Sequence, residues 1–232
     1  MADQGYARPE MLVTTEWLAA HLQDANMRLV DCDNRDAYRR AHIPGAITFR
    51  GHQYLKEKEG ALHIMGPEQF AETMGALGIG NDTLVIAYDS FSGLYAARFW
   101  WALHYYGHTQ VKVLNGGWDK WLTEGRPVTM IEPRPSKASF SPQVHEELIA
   151  RWDYVRDSIG TPGRTLLDVR SDGEWTGENA RGTKRGGRIP TAVHLEWLNY
   201  VDSKTKEFKP AAELRAMFDQ IGVKPECEII TY

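Results

Sequence analysis

The stretch MRLVDCDNRDAY at residues 27–38 decides the fold, because RTLLDVRSDGEW at 164–175 repeats it. Two further pairs follow in the same order. HIPGAI at 42–47 is matched by RIPTAV at 188–193, and LGIGNDTLVIAY at 77–88 is matched without a gap by IGVKPECEIITY at 221–232. Self-similarity at a long period is the signature of a duplicated folding unit. The offset is 137 between Asp31 and Asp168, 146 between Pro44 and Pro190, and 144 between Tyr88 and Tyr232. The second copy thus gains residues within TGENARGTKRGG, 176–187, whose polar, glycine-rich composition suits a surface insertion. The small later loss falls between the PGA turn and the next helix.

Each copy reads as alternating strands and helices. In the first, Thr14 or Thr15 caps a helix through EWLAAHLQ, followed by a strand at RLVDC, a short helix at RDAYRRA and a short strand at AITF. A helix from Pro67 to about Leu77 has proline where a first turn tolerates it and Gly78 where a helix stops. TLVIAY lacks polar alternation, as a strand covered on both faces should. The helix GLYAARFWWALHYYG, the strand VKVL and a helix through WDKWLTEG complete the copy. The fold class expected is α/β: two tandem domains, each a mainly parallel sheet flanked by helices, the second incomplete at Tyr232. The expected boundaries are 1–125 for the first domain, 126–145 for a proline-rich extended linker and 146–232 for the second domain.

Composition narrows the function classes. With 27 basic and 31 acidic side chains the formal charge is −4, which gives no general attraction for nucleic acid or anionic membrane. The N-terminus lacks a basic region followed by an apolar core, and no run reaches the length of a membrane span, so a cytoplasmic protein is expected. Cys32 and Cys227 are too few for a disulfide framework and read as small apolar residues beside strands. His104 and His108 lie one helical turn apart, but Gly107 ends that helix and no third ligand is near, so no metal is expected.

The quoted pairs, together with LNGGW at 114–118 and the order in which they recur, resemble the tandem rhodanese-type sulfurtransferases, which include thiosulfate and 3-mercaptopyruvate sulfurtransferases. The resemblance implies an inert first copy and a catalytic second copy. Its nucleophilic cysteine would be the first residue of the loop after the strand matching EIITY. Asp89 holds that loop position in copy one, so its counterpart is position 233, immediately past Tyr232. Sulfane sulfur transfer needs a soft nucleophile that can hold a persulfide, and the hard oxyanion of Asp89 cannot serve. Asp89 is instead expected to cap a helix or close a loop. A thiolate at the same place would gain from backbone N–H groups at a helix N-terminus. Cys227 lies at the wrong end of its strand, and Cys32 has no basic partner or glycine-rich loop after it.

The resemblance also implies that Arg185 binds the anionic donor at the mouth of the site. Arg188 stands where the family usually has histidine; it and Lys184 read more simply as solvated charges, Trp197 as core, and Asp168 with Arg170 as a local ion pair. No metal or organic cofactor is implied. The reaction expected is transfer of sulfur from thiosulfate, or from 3-mercaptopyruvate as second choice, to cyanide or a thiol acceptor. RGGRIP followed by HLEW is closer to the thiosulfate type. Two rivals stay open: a catalytically inactive rhodanese-like binding or regulatory protein, and a phosphatase of the related single-domain type with a cysteine, five intervening residues and an arginine. The stop at Tyr232 has two explanations. Either the chain is a fragment lacking roughly fifty residues of the second repeat, or position 233 is a cysteine in persulfide or oxidised form, the preferred reading, which intact mass decides.

Overall fold

The first helix starts where the sequence asks it to. Thr14 is extended and its hydroxyl accepts the amide of Trp17 at 3.1 Å, so α1 spans Thr15–His21. The computed structural model describes residues 5–49, 55–56 and 64–232. The remaining elements of copy one are β1 (Leu12–Val13), β2 (Met27–Asp31), α2 (Arg35–Arg40), β3 (Ile47–Thr48), α3 (Pro67–Ala76), β4 (Leu84–Tyr88), α4 (Leu94–Tyr105), β5 (Val111–Leu114) and α5 (Gly117–Thr123). The five strands form one parallel sheet in the order β1-β5-β4-β2-β3. Leu18, Leu29, Tyr38, Ile43, Ile86, Tyr88 and Trp121 belong to one buried cluster of this unit, which explains the unbroken apolar run of TLVIAY.

Copy two contributes α6 (Trp152–Asp157), β6 (Arg164–Asp168), α7 (Asp172–Thr176), β7 (Val193–His194), α8 (Ala211–Gln220) and β8 (Glu228–Thr231). Its parallel sheet runs β7-β6-β8. This order is that of β3-β2-β4 in copy one. The registers also coincide. Val30 pairs with Ile47 and Ala87, while Leu167 pairs with Val193 and Thr231, which reproduces offsets of 137, 146 and 144 at the level of strand pairing. The caps repeat too: Asn34 accepts the Ala37 amide, and Ser171 forms a capping box with Glu174.

Two compact units emerge. One holds Ala7–Glu146 and Lys204–Glu207, and the other is built mainly from Glu147–Ser203 and Phe208–Tyr232. The segment expected as a linker is largely irregular but lies against the first unit. Thr129 exchanges backbone hydrogen bonds with His42, Ala138 donates to Gly75, and Gln143 donates to Tyr106. A Cβ on Gly75 would come within 2.7 Å of the Ala138 carbonyl, so this close approach needs glycine. No helix among the described residues is long and apolar enough to cross a membrane.

The insertion of copy two connects α7 to β7 and is pinched at its base. The carbonyl of Gly177 lies where a Cβ on Gly186 would sit, at 2.6 Å, so two glycine backbones cross where no side chain fits.

Candidate active site

In open parallel sheets the reactive loops follow the carboxyl ends of the strands. In copy one these ends carry Asp31, Cys32, Asp33, Tyr88 and Asp89. The backbone after β4 turns through two left-handed residues, Ser92 at φ 56° and Gly93 at φ 87°, and then enters α4. This curl aims four amides at one carboxylate. Asp89 Oδ1 accepts the N–H groups of Phe91 and Gly93 at 2.8 Å each, and Oδ2 accepts those of Tyr95 at 2.7 Å and Ala96 at 2.8 Å. Gly93, the residue at the helix N-cap, has no side chain to offer, and Asp89 satisfies the orphan donors in its place. Burial pushes the Asp89 carboxyl above the ordinary carboxylate range, and the four amides act against that rise. Its carbonyl accepts the Trp118 amide at 2.9 Å, which fastens the loop to the start of α5.

Two further carboxylates share this region. Tyr88 donates its hydroxyl to Asp31 Oδ2 at 2.7 Å and accepts the amide of Ile43 at 3.1 Å. Burial raises Asp31 to about 7, against the lowering effect of the Tyr88 hydroxyl. Asp33 accepts the Ser90 amide on both carboxylate oxygens, at 3.0 and 3.1 Å. Cys32 is fully buried, and burial, followed by the charges of Asp89, Asp31 and Asp33, pushes its thiol well above the ordinary range. A thiol held neutral and out of solvent is a packing group.

Copy two rebuilds the same frame around different charges. The Ile189 amide donates to the hydroxyl of Tyr232 at 3.1 Å, as Ile43 does to Tyr88. Arg170 donates to Asp168 from Nε at 3.0 Å and Nη2 at 2.5 Å, and to the Gly187 carbonyl at 2.9 Å. Burial acts to raise Asp168, yet the hydrogen bonds from Arg170 hold it below its usual range.

The cations Lys184, Arg185 and Arg188 differ in their surroundings. Arg188 lies over the ring of Trp175 at 4.3 Å, the place His42 takes on Tyr38 in copy one, where the rings stack at 3.9 Å. His194, at the end of β7, stacks on Trp175 at 4.9 Å, and its Nε2 lies 2.8 Å from Asp172. Arg188 is thus a stacking partner that replaces a histidine, a role that pattern alone did not reveal. Arg185 and Lys184 stand exposed on the insertion, and neither side chain has a partner among the described residues. Trp197 is half-buried at the start of a short three-ten helix, and its amide donates to the Val169 carbonyl at 3.0 Å. Cys227 precedes β8, at the amino end of that strand. Among the described residues no three His, Cys, Asp or Glu side chains gather as metal ligands.

Comparison with known proteins adds an independent line. Residues 14–124 match the model of the rhodanese-like domain. The chain is 34% identical to a protein of Thermus thermophilus named sulfur carrier protein TtuD, over 98% of this chain and 84% of that protein. It is 35% identical to the putative thiosulfate sulfurtransferase SseA of Mycobacterium tuberculosis, over 98% of this chain and 78% of the relative. The crystal structure of SseA from Escherichia coli, described as a 3-mercaptopyruvate sulfotransferase, superposes with a TM-score of 0.85 at 27% identity, covering 95% of this chain and 87% of that one.

Proposed function

Starting from the fact that this chain belongs to the rhodanese family of sulfurtransferases, we propose that it moves sulfane sulfur from thiosulfate to cyanide or a thiol through a persulfide on a cysteine at position 233. The observation that carries this reading is the loop at Asp89. Four amides and a helix N-terminus converge on one anionic side chain, at the place equivalent to the residue after Tyr232. Such a cradle suits a thiolate and the terminal anion of a persulfide equally well. In the first half-reaction the thiolate attacks the sulfane sulfur of thiosulfate. The new S–S bond forms as the old one breaks, and its electron pair leaves with sulfite. In the second, the acceptor attacks the terminal sulfur of the persulfide, and the cysteine departs as thiolate. Cyanide becomes thiocyanate in this step, and a thiol becomes its own persulfide. With 3-mercaptopyruvate as donor the leaving fragment would be pyruvate after protonation. Names of relatives support thiosulfate as first choice, and a cytoplasmic setting fits a chain with so few cysteines.

The test is cyanolysis with each donor, on a chain that continues through the loop after Tyr232 and on its position-233 alanine variant. The variant is expected to lose activity by about a hundredfold or more. Equal rates from the two proteins would refute the nucleophile.

Arg185 is the cation we assign to attracting the anionic donor, because its guanidinium is exposed and uncommitted on the insertion of copy two. Arg185→Glu should raise KM for thiosulfate by about tenfold at low salt, with kcat nearly unchanged, and the difference should shrink as ionic strength rises. A KM that ignores both the substitution and salt would remove Arg185 from the site.

A further inference from the structure

The two copies carry opposite charge at one equivalent position. Asp33 and Arg170 are 137 residues apart, the separation of Asp31 and Asp168. They also occupy the same turn. The Asp33 amide donates to Asp31 Oδ1 at 2.9 Å, and the Arg170 amide donates to Asp168 Oδ1 at 3.0 Å. In copy one the side chain at this position reaches the loop after the strand, where the Asp33 carboxylate holds the amide of Ser90, the neighbour of Asp89. In copy two the side chain is a guanidinium lying 5.1 Å from the ring centre of Tyr232, the residue before position 233.

The consequence is electrostatic. Asp31, Asp33 and Asp89 gather in copy one, and among the described residues none of them has an ion-pair partner. Cys32, which sits among them, registers their field as a push toward the neutral thiol. In copy two the two known positions of the trio are one anion and one cation, Asp168 and Arg170. A side chain after Tyr232 would therefore meet a cation where the loop of copy one meets an anion.

We propose that Arg170 is a positioning residue for sulfur transfer, holding the side chain at position 233 in its anionic form, first as thiolate and then as persulfide. This rests on the reading that position 233 is the nucleophile. The groups facing the guanidinium are Asp168 from β6, the Gly187 carbonyl from the insertion, Tyr232 after β8 and, at longer range, Glu174 from α7. Asp168 neutralises Arg170 in the pair. Removing the arginine alone therefore leaves a bare carboxylate beside the loop, and the local charge moves by one full unit against a thiolate.

The experiment follows iodoacetamide alkylation of position 233 against pH, mapped by peptide mass, in a chain that continues through the loop. The unsubstituted protein, Arg170→Lys and Arg170→Gln are compared. Arg170→Gln should raise the alkylation midpoint by about one pH unit or more, and Arg170→Lys should restore most of the shift because it keeps the charge. A folded Arg170→Gln protein with an unmoved midpoint overturns the proposal. Absence of an alkylatable thiol at position 233 in the unsubstituted chain would instead sink the nucleophile reading beneath it. Should Arg170→Gln fail to fold, copy one carries the same test. In an Asp89→Cys chain, adding Asp33→Asn should lower the midpoint of the new thiol, and no shift there would equally overturn the role assigned to charge at this position.

Discussion

Asp89→Leu should prevent the first unit from folding, or cost it on the order of 4 to 8 kcal/mol. The leucine removes every acceptor from a buried cradle and leaves the amides of Phe91, Gly93, Tyr95 and Ala96 unpartnered. Each orphaned buried donor costs about 1–3 kcal/mol, against a typical domain stability of about 5–15 kcal/mol. Relief from burying a carboxylate returns part of this, so the sum lies below four full penalties. Asp89→Asn separates the two contributions. Its one carbonyl oxygen still accepts two amides, while its NH2 group faces the other two donors, so an intermediate loss is expected. Urea denaturation followed through the tryptophans measures the series. An Asp89→Leu protein as stable as the parent would show that the cradle contributes nothing to the fold.

Stability of the first unit should fall as pH rises from about 4 to about 8, and Asp31→Asn should make that slope shallower. The folded carboxyl of Asp31 is raised by burial to about 7, from 3.8 for the free group. The sign follows from proton counting. Between the two values the folded state binds a proton that the unfolded state has released, so the contribution is full below about 4 and lost as pH passes 7. A rise of that size corresponds to roughly 4 kcal/mol. Asp33 and Asp89 are also raised, chiefly by burial, and add in the same direction. His104 and His108 act oppositely, since burial lowers both and stability is lost as pH falls through the unfolded histidine range. The difference between parent and Asp31→Asn isolates the carboxyl, and a difference that stays flat from pH 4 to pH 8 would contradict the assignment. The same protonated carboxyl explains how Asp31, Asp33 and Asp89 coexist in one buried region. Copy two avoids the problem by supplying Arg170, and Asp168 stays ionised.

Much of this arrangement was legible in the chain. The offsets of 137, 146 and 144 reappear as strand register, because a parallel pairing fixes residue against residue and a duplicated unit must repeat it. The N-cap threonine at 14, the proline start at 67 and the stop near Gly78 were visible because caps depend on neighbours a few residues away. Asp89 was located by the ungapped match of TLVIAY with CEIITY, and its position after β4 follows from that match.

Other features needed the folded chain. Arg188 read as a solvated charge and is exposed, but its place over Trp175, thirteen positions away across the pinched insertion, was not readable. The segment 126–145 read as a linker, yet its backbone bonds to His42, Gly75 and Tyr106. Composition cannot reveal partners so distant in sequence. The exchange of Asp33 for Arg170 stands in the aligned repeats themselves. It gained meaning only with the Ser90 amide on the Asp33 carboxylate and the guanidinium beside Tyr232. The sequence by itself determined the duplicated α/β units, the strand registers and the place of the loop at Asp89, because periodicity, caps and repeats are local or self-referential signals. Tertiary structure alone decided which charges face that loop, since electrostatic fields depend on distances through space that no spacing along the chain encodes.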